Sequence, residues 1–491
     1  MIDLKPRPSR PTDTLYQHEL ITYFQEQTTM TRLAQSVQTA TTLLRGADLA
    51  DYQAVTDLLT ETTARRTMDL SDLSPTEQAE LIAVRTQQLQ PSTAALAERV
   101  AKAAAEDRKF IAKFGIDPTG SEVHLGHAVP MMLLSRFQRM GHQVVFIVGD
   151  VTAKIGDPSG RSDERPALTD EDIARNLTTY KDQVTPFFDF SHAQFRYNGD
   201  WLRDVKLPQI IEILAKIPVS MPLQREDFRK RLEAGQGLSM AELIYSVVMA
   251  LDSVEINSDV EIGGIDQFLN MQMGRKVMEI SGQTPEIVAA TSLIEGTDGT
   301  GAKMSKSLGN YVPVAAPAGE IFGKLMSVPD RLVEPYFRAL SEWTDTELAV
   351  VTERLEAGTL HPMDLKKILA GEVTAAIHGV DAAMKAREEF AARFSKRTFS
   401  DVSDLPVVAD LDLPVIEAVK SLGFAKSNGD VRRVAEQNGL RIVVETDGGQ
   451  EQTTLTLDDA LGSLATVLAG IDTTAGEVFL KVGRKLAKIA G

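Results

Sequence analysis

"KFIAKFGIDPTGSEVHLGHAVPMMLLSRFQRMGHQVVFIVGD", residues 109–150, decides the fold. "KFIAKFGID" is a short apolar run closing on a glycine-containing loop, which predicts a strand. "HLGHAVPMMLLSRFQRMGHQ" carries helical periodicity, and "VVFIVGD" is continuous and apolar, as a buried strand is. Strand, loop, helix and strand in one short stretch predict a parallel-sheet α/β domain of the Rossmann-like kind. Ligands of such sheets bind at the carboxyl ends of strands. "FGIDPTGSEVHLGH" lies at one such end, and "GDVTAKIGDPSGR" (149–161) follows the next.

Working outward, "DVEIGGIDQFLNMQMGRKV" (259–277) repeats the strand–loop–helix grammar, and "EIVAATSLI" (286–294) supplies a further strand. The expected α/β domain covers 106–317, with a largely helical insertion at about 165–235. Residues 318–403 read as amphipathic helices. "DVSDLPVVADLDLP" (401–414) reads as a linker. Residues 412–491 mix short helices and strands, as a small α+β module does. Residues 1–105 predict a helical N-terminal extension, broken at Gly46 and carrying no visible chemistry.

The whole chain has 491 residues, 43% hydrophobic and 25% charged, the composition of an ordinary globular protein. It contains no cysteine, which excludes disulfides, thiolate nucleophiles and cysteine-based zinc sites, and fits a reducing compartment. No apolar run of membrane-spanning length occurs, and "MIDLKPRPSRPTDTLYQHEL" lacks the apolar core of a secretory signal. A cytoplasmic location without membrane contact is expected. The net charge of −17 argues against a generic nucleic-acid coat, so any RNA contact requires locally gathered cations.

Two short motifs carry chemistry. In "HLGH", His124 and His127 stand three apart at an expected helix start, so their rings face one way. The exposed N–H groups and the helix dipole there favour an anion, and two imidazoles can donate to phosphate oxygens. Gly126 between them admits a flat ring close to the backbone. A metal pair would need a third ligand that the other histidines do not supply, so no metal site is expected; a chance capping arrangement is the bland alternative. In "GAKMSKSLGNY" (301–311), Lys303 and Lys306 occupy a glycine-flanked, hence mobile, loop where two cations could swing over a triphosphate. A solvated polar turn is the bland alternative here.

Taken together on an α/β frame, "HLGH" and "KMSKS" resemble the two signature motifs of class I aminoacyl-tRNA synthetases. "GIDPTGSEVHLGH", "IGDPSGRSDER", "VEIGGIDQFLN" and "KMSKSLGNY" are similar to the tyrosyl branch in its bacterial form, and the resemblance spans about residues 106–490. It implies a ligase that activates tyrosine with ATP and Mg²⁺, transfers it to tRNA(Tyr), keeps no tightly bound cofactor and works as a homodimer. The resemblance makes the 165–235 insertion a dimerisation region and the 318–403 helices an anticodon-binding domain. Asp117, Gly126 and Asp266 would bind ATP together with Lys303, Met304, Ser305 and Lys306. Catalysis would rest on His124, His127, Thr119, Lys303 and Lys306. Gly115, Asp157, Tyr245, Met249, Asp252 and Gln267 would line the amino-acid pocket, with Asp157 and Tyr245 on the ammonium, Asp252 accepting the phenol hydroxyl and Gln267 on the carboxylate side. Lys113 stands where some members have tyrosine.

Two positions depart from the pattern. Met249 replaces a usual glutamine, and Ile265 a usual serine or threonine. Both make the pocket more apolar, and they keep open an enzyme that activates another amino acid. A non-catalytic RNA-binding relative is the remaining alternative, and the intact histidine and lysine motifs oppose it. Finally, "LPVIEAVKSLGFAKSNGDVRRVAEQNGLRI" (413–442) resembles the small ribosomal-protein-like RNA-binding module usual at the end of bacterial tyrosyl enzymes. Lys420, Lys426, Arg432 and Arg433 would form its phosphate face, with Arg484 and Lys485 from the last stretch.

Overall fold

The computed structural model describes residues 30–118, 120, 122–159, 168–395, 405–437, 439–446, 449–473, 476–483 and 485–490. Thr119 and Arg484, both expected functional residues, lie outside the described residues, as does the start of the N-terminal extension. The chain divides into two compact units, one ending at Arg387 and one beginning at Glu388.

The first unit is built on a six-stranded sheet. Its strands are β1 Gln88–Gln90, β2 Ile111–Ile116, β3 Gln143–Val148, β4 Ala193–Tyr197, β5 Val260–Gly264 and β6 Ile287–Thr291, in the order β1-β6-β5-β2-β3-β4. β2 to β6 are mutually parallel, while β1 pairs antiparallel with β6. The central strands are apolar because both faces are covered: Ala112, Phe114, Val144, Phe146 and Ile262 are all buried. The chain runs outward from β2 through β3 to β4, then returns to β5 on the other side of β2. That reversal leaves a crevice beyond the carboxyl ends of β2 and β5.

Two strands fall outside the expected α/β boundaries. β4 lies in the stretch expected to be largely helical. "AQFRY" is too short and mixed to announce a strand; its edge position beside β3 makes it one. β1 lies in the N-terminal extension, so residues 88–90 are part of the sheet. The other described residues of that extension, from 30 onward, are also built in. Arg65 is buried and makes a bidentate pair with Glu347 at 2.6 and 2.8 Å. Glu342 is ringed by Arg66, Arg85, Arg136 and Arg139. Burial alone would raise its carboxyl, but those four guanidiniums hold it down at about 2.

The second unit has a five-stranded sheet: β7 Val407–Val408, β8 Leu440–Thr446, β9 Gly449–Thr454, β10 Glu477–Val482 and β11 Lys485–Ile489, in the order β7-β11-β10-β8-β9. Helices Val415–Ser421 and Asn428–Glu436 pack on it through Val415, Val419, Val431, Leu440 and Leu480.

Candidate active site

A cavity of about 700 Å³ opens at the switch point of the first sheet. Its walls include Gly115 and Asp117 from the end of β2, Asp266 and Gln267 after β5, and Lys303, Met304 and Ser305 from the lysine loop. His124, Gly126, His127, Asp157, Tyr245, Met249 and Asp252 complete it. Residues scattered over almost two hundred positions thus converge on one chamber.

His124 caps helix Leu125–Arg139, and the sequence explains its geometry. The backbone N–H of Gly126 donates to His124 Nδ1 at 3.2 Å, and that of His124 to His127 Nδ1 at 3.2 Å. The two rings stack at 3.8 Å between centroids. A Cβ at Gly126 would come within 3.0 Å of the His124 ring, so any larger residue would press on the folded-back imidazole. Burial, then Lys306 and Lys303, push the His124 imidazole down to about 4; burial, then His124, depress His127 as well. Both rings are therefore neutral at pH 7. With each Nδ1 accepting, each proton sits on Nε2, leaving a donor for a ligand. The helix start differs from expectation in one respect. Its first N–H groups are consumed, because Leu125 donates to Val312 O, Gly126 to the His124 ring and His127 to His124 O. The imidazole Nε2–H groups and the lysines are the donors left on this side of the cavity.

The lysine loop is more braced than its glycines suggest. Asn310 Oδ1 accepts from Ser305 N at 2.8 Å, Met304 N donates to Ile294 O, and Met304 is buried. Glu295 accepts from Gly301 N and from Arg331. Lys303 Nζ reaches across to Asp266 at 2.9 Å. A Cβ on Gly120 would meet Lys306 Nζ at 2.8 Å, which puts this second cation against the loop after β2.

The end of the cavity that holds Asp252, Tyr245 and Asp157 is a polar chain. Asp252 is buried, accepting from Trp201 Nε1 at 3.0 Å and Asn198 Nδ2 at 3.4 Å. Burial pushes its carboxyl up to about 7, against the pull of Lys113, Trp201 and Asn198. Asn198 also donates to Thr152, Thr152 Oγ1 donates to Asp117 at 2.6 Å, and Tyr245 donates to the other Asp117 oxygen at 2.9 Å. A Cβ at Gly149 would sit about 2 Å from both Asp117 Oδ1 and Thr152 Oγ1, so this joint also requires glycine. Burial, then Asp117, keeps the Tyr245 phenol protonated far above neutral pH. Asp157 accepts from Ser159 N and Oγ, from Gln267 Nε2 at 2.7 Å and from Asn270. Gln267, expected on the substrate carboxylate, is thus turned toward Asp157.

Sequence reasoning gave Lys113 no role in this chamber and missed its partner Glu261. Lys113 on β2 faces Glu261 on β5 in register, pairing at 2.8 Å and donating to Ser253 Oγ at 2.6 Å. Burial alone would lower the Lys113 ammonium, but Glu261, Glu286 and Asp252 outweigh it and raise it. Burial, then Glu261, pushes Glu286 up to about 8, so it is protonated at neutral pH. The available signal was a lysine and a glutamate in the middle of the apolar runs "FIAKFGI" and "DVEIGG". Trp201, Asn198, Thr152, Arg225 and Asn270 carried none. Met249 and Ile265 pack with Phe268 against the apolar cluster Met271, Val288 and Ala290, which accounts for their lost polarity locally.

In the second unit the expected cations divide. Lys420 is paired with Glu417 at 2.9 Å and Arg433 with Asp430 at 2.6 Å. Lys426 and Arg432 are exposed, and Lys485 lies over the Phe424 ring, bonded to backbone carbonyls of Gly423 and Phe424.

Residues 105–395 match the family described as tRNA synthetases class I (W and Y). The chain belongs to this family. It is 40% identical over 335 residues to the tyrosine–tRNA ligase of Thermotoga maritima, covering 68% of this chain and 83% of that protein. With the tyrosine–tRNA ligase of Desulfotalea psychrophila it shares 37% over 391 residues, 79% of this chain and 92% of that protein. Two solved structures share the synthetase fold. The C-terminally truncated mitochondrial tyrosyl-tRNA synthetase of Aspergillus nidulans aligns with a TM-score of 0.53 at 19% identity, over 70% of this chain and 99% of that one. The Archaeoglobus fulgidus tyrosyl-tRNA synthetase, complexed with L-tyrosine, aligns with a TM-score of 0.50 at 21% identity, over 64% and 99%. As a class I synthetase the chain is an ATP-using ligase. No described helix is long and apolar enough to cross a membrane.

Proposed function

We propose that this synthetase is a tyrosine–tRNA ligase that makes tyrosyl-adenylate from tyrosine and ATP and passes the acyl group to tRNA(Tyr). The observation that carries the amino-acid assignment is Asp252. It is a buried carboxylate at the cavity floor, braced by Trp201 and Asn198, with acceptor capacity left for one hydroxyl. A substrate without a hydroxyl there would leave that remaining acceptor position of a buried carboxyl group unpaired.

In this reading Asp157 and the Tyr245 oxygen hold the substrate ammonium, and Gly115 lies along the amino acid. The substrate carboxylate attacks the α-phosphate of ATP. The adenosine rests over Gly126 with its ribose on Asp266 and Asp117 nearby. Pyrophosphate departs against the Nε2–H donors of His124 and His127, the hydroxyl of Thr119 and the ammonium groups of Lys303 and Lys306. No covalent enzyme intermediate is needed; positioning and preorganised charge account for catalysis. Ribose must displace Lys303 from Asp266, which frees that cation for the phosphates. Mg²⁺ would accompany ATP as part of the substrate complex.

The second unit, through Lys426, Arg432, Lys485 and Arg484, with Lys420 and Arg433 once released from their partners, is proposed to bind tRNA, and the 318–403 helices to meet the anticodon. The enzyme is read as a cytoplasmic homodimer. Leu207, Ile211 and Val219 of the insertion are exposed apolar side chains that a second copy would cover. Met249 and Ile265 favour one other reading, a ligase for a different amino acid. ATP–pyrophosphate exchange across a panel of amino acids tests both. Tyrosine is expected to dominate, and dominance of a non-phenolic amino acid would overturn the assignment.

A further inference from the structure

Behind the wall that presents Asp157 lies a residue that does not line the cavity. Arg225, just ahead of helix Glu226–Glu233, is buried over the Phe228 ring. Its Nη1 donates to Asn270 Oδ1 at 2.7 Å and its Nη2 to Ser159 Oγ at 2.8 Å, while Asp227 pairs with it at 3.1 Å. A guanidinium has donors only. Asn270 must therefore turn its carbonyl to Arg225 and its amide hydrogens away. Those hydrogens reach Gln267 Oε1 at 2.8 Å, Ser159 Oγ at 3.3 Å and Asp157 Oδ1 at 3.4 Å. With its carbonyl so engaged, Gln267 directs Nε2 to Asp157 Oδ2 at 2.7 Å. Ser159, accepting from Arg225, has its own hydrogen left for Asp157 Oδ1 at 2.7 Å. The polarity of two amides and one hydroxyl, each reversible alone, is set between a donor-only guanidinium at one end and the acceptor-only Asp157 carboxylate at the other.

We infer that Arg225 is a positioning residue for amino-acid recognition, orienting Asn270, Gln267 and Ser159 so that both oxygens of Asp157 are fixed toward the substrate ammonium. The inference rests on the tyrosine-ligase reading of the site. Its weight here follows from Met249 and Ile265, which add no polar partner beside that ammonium, so Asp157 and Tyr245 bear its recognition. The same chain of bonds links the ammonium site to the inserted segment that carries Arg225.

The test is direct binding of three phenolic ligands to the full-length protein and to its Arg225→Met variant. Tyrosine has both an ammonium and a carboxylate, tyramine only the ammonium, and 3-(4-hydroxyphenyl)propionate only the carboxylate. Arg225→Met is expected to weaken tyrosine and tyramine by about 10- to 100-fold, the range for a bond to a charged group, and to leave the propionate within about twofold. In pyrophosphate exchange KM for tyrosine rises while kcat and KM for ATP stay near the parent, because the ammonium is the same in ground and transition states. Arg225→Lys, which keeps one donor, recovers part of the affinity. Equal weakening of all three ligands, or no change, overturns the inference. Should Arg225→Met fail to fold, Asn270→Ala breaks the same chain and is read against the same ligands. A parent protein that binds none of the three would instead sink the tyrosine reading itself.

Discussion

Asp252 concentrates the chemistry of a single residue. Its ordinary carboxyl value of 3.8 is pushed up to about 7 by burial, so the folded protein holds a proton there that the unfolded chain releases. The sign follows: the native state binds more protons between about pH 4 and 7, and stability from this group falls as pH rises through that window. Asp252→Asn is therefore expected to stabilise the protein at pH 8, by up to about 4 kcal/mol, with the gain vanishing near pH 4. Chemical unfolding of both proteins at the two pH values measures it; a gain independent of pH would contradict it. The same change costs function. Tyrosine affinity of the parent falls below about pH 7 as the acceptor is protonated, and Asp252→Ala should collapse the tyrosine-to-phenylalanine ratio, which in such sites reaches about 10⁴–10⁵. Met249→Gln makes a contrasting case. It restores an acceptor for the ammonium shared by both amino acids, so it should raise both specificity constants and leave their ratio nearly unchanged.

In the proposed reaction, the helix Leu125–Arg139 and the lysine loop would divide the labour of meeting phosphate. The helix contributes oriented neutral donors, since its own N–H groups are spent on Val312 and on the histidine rings. The loop contributes cationic charge, with Lys303 paired to Asp266 at 2.9 Å. Lys303→Ala and Lys306→Ala should each slow adenylate formation, by about 10²-fold or more as for other preorganised charges, and hardly alter tyrosine binding. Single-turnover activation rates equal to the parent in both variants would refute the role. "KMSKS" was legible as a cation-bearing loop because its residue types have few other uses together. Its bracing by Asn310 and Glu295 was not, since those residues are ordinary loop polars until the fold brings them to the loop.

At the scale of the molecule, the N-terminal region is structural. Arg65 meets Glu347, and Arg66 and Arg85 surround Glu342, across almost three hundred residues of chain. Arg65→Met would leave Glu347 as an uncompensated buried charge, at a cost of about 3–5 kcal/mol. Thermal and denaturant unfolding should show a clearly lowered midpoint, and an unchanged one would mean that the pair is dispensable. The second unit makes the opposite prediction. Removing residues from 405 onward should spare tyrosine-dependent pyrophosphate exchange and strongly reduce tRNA charging, because its cations lie on a unit with its own packed core. Loss of exchange in a truncated protein that still melts cooperatively would contradict that division.

The sequence by itself determined the parallel α/β core, the chamber at the strand ends and most of its lining. Apolar runs, helical periodicity and the residue types of "HLGH", "GDPSG", "GGIDQ" and "KMSKS" are local properties, and local patterns suffice to place them at the ends of strands. Tertiary structure alone decided what depends on distant partners. "QLQ" and "AQFRY" become strands only because β6 and β3 offer edges to pair with. Lys113 and Glu261 become a charge pair only because β2 and β5 lie in register, though almost one hundred and fifty positions of chain separate them. Arg225, Asn270 and Trp201 act on the site through hydrogen bonds whose direction is set by geometry, and no spacing in the chain encodes a direction.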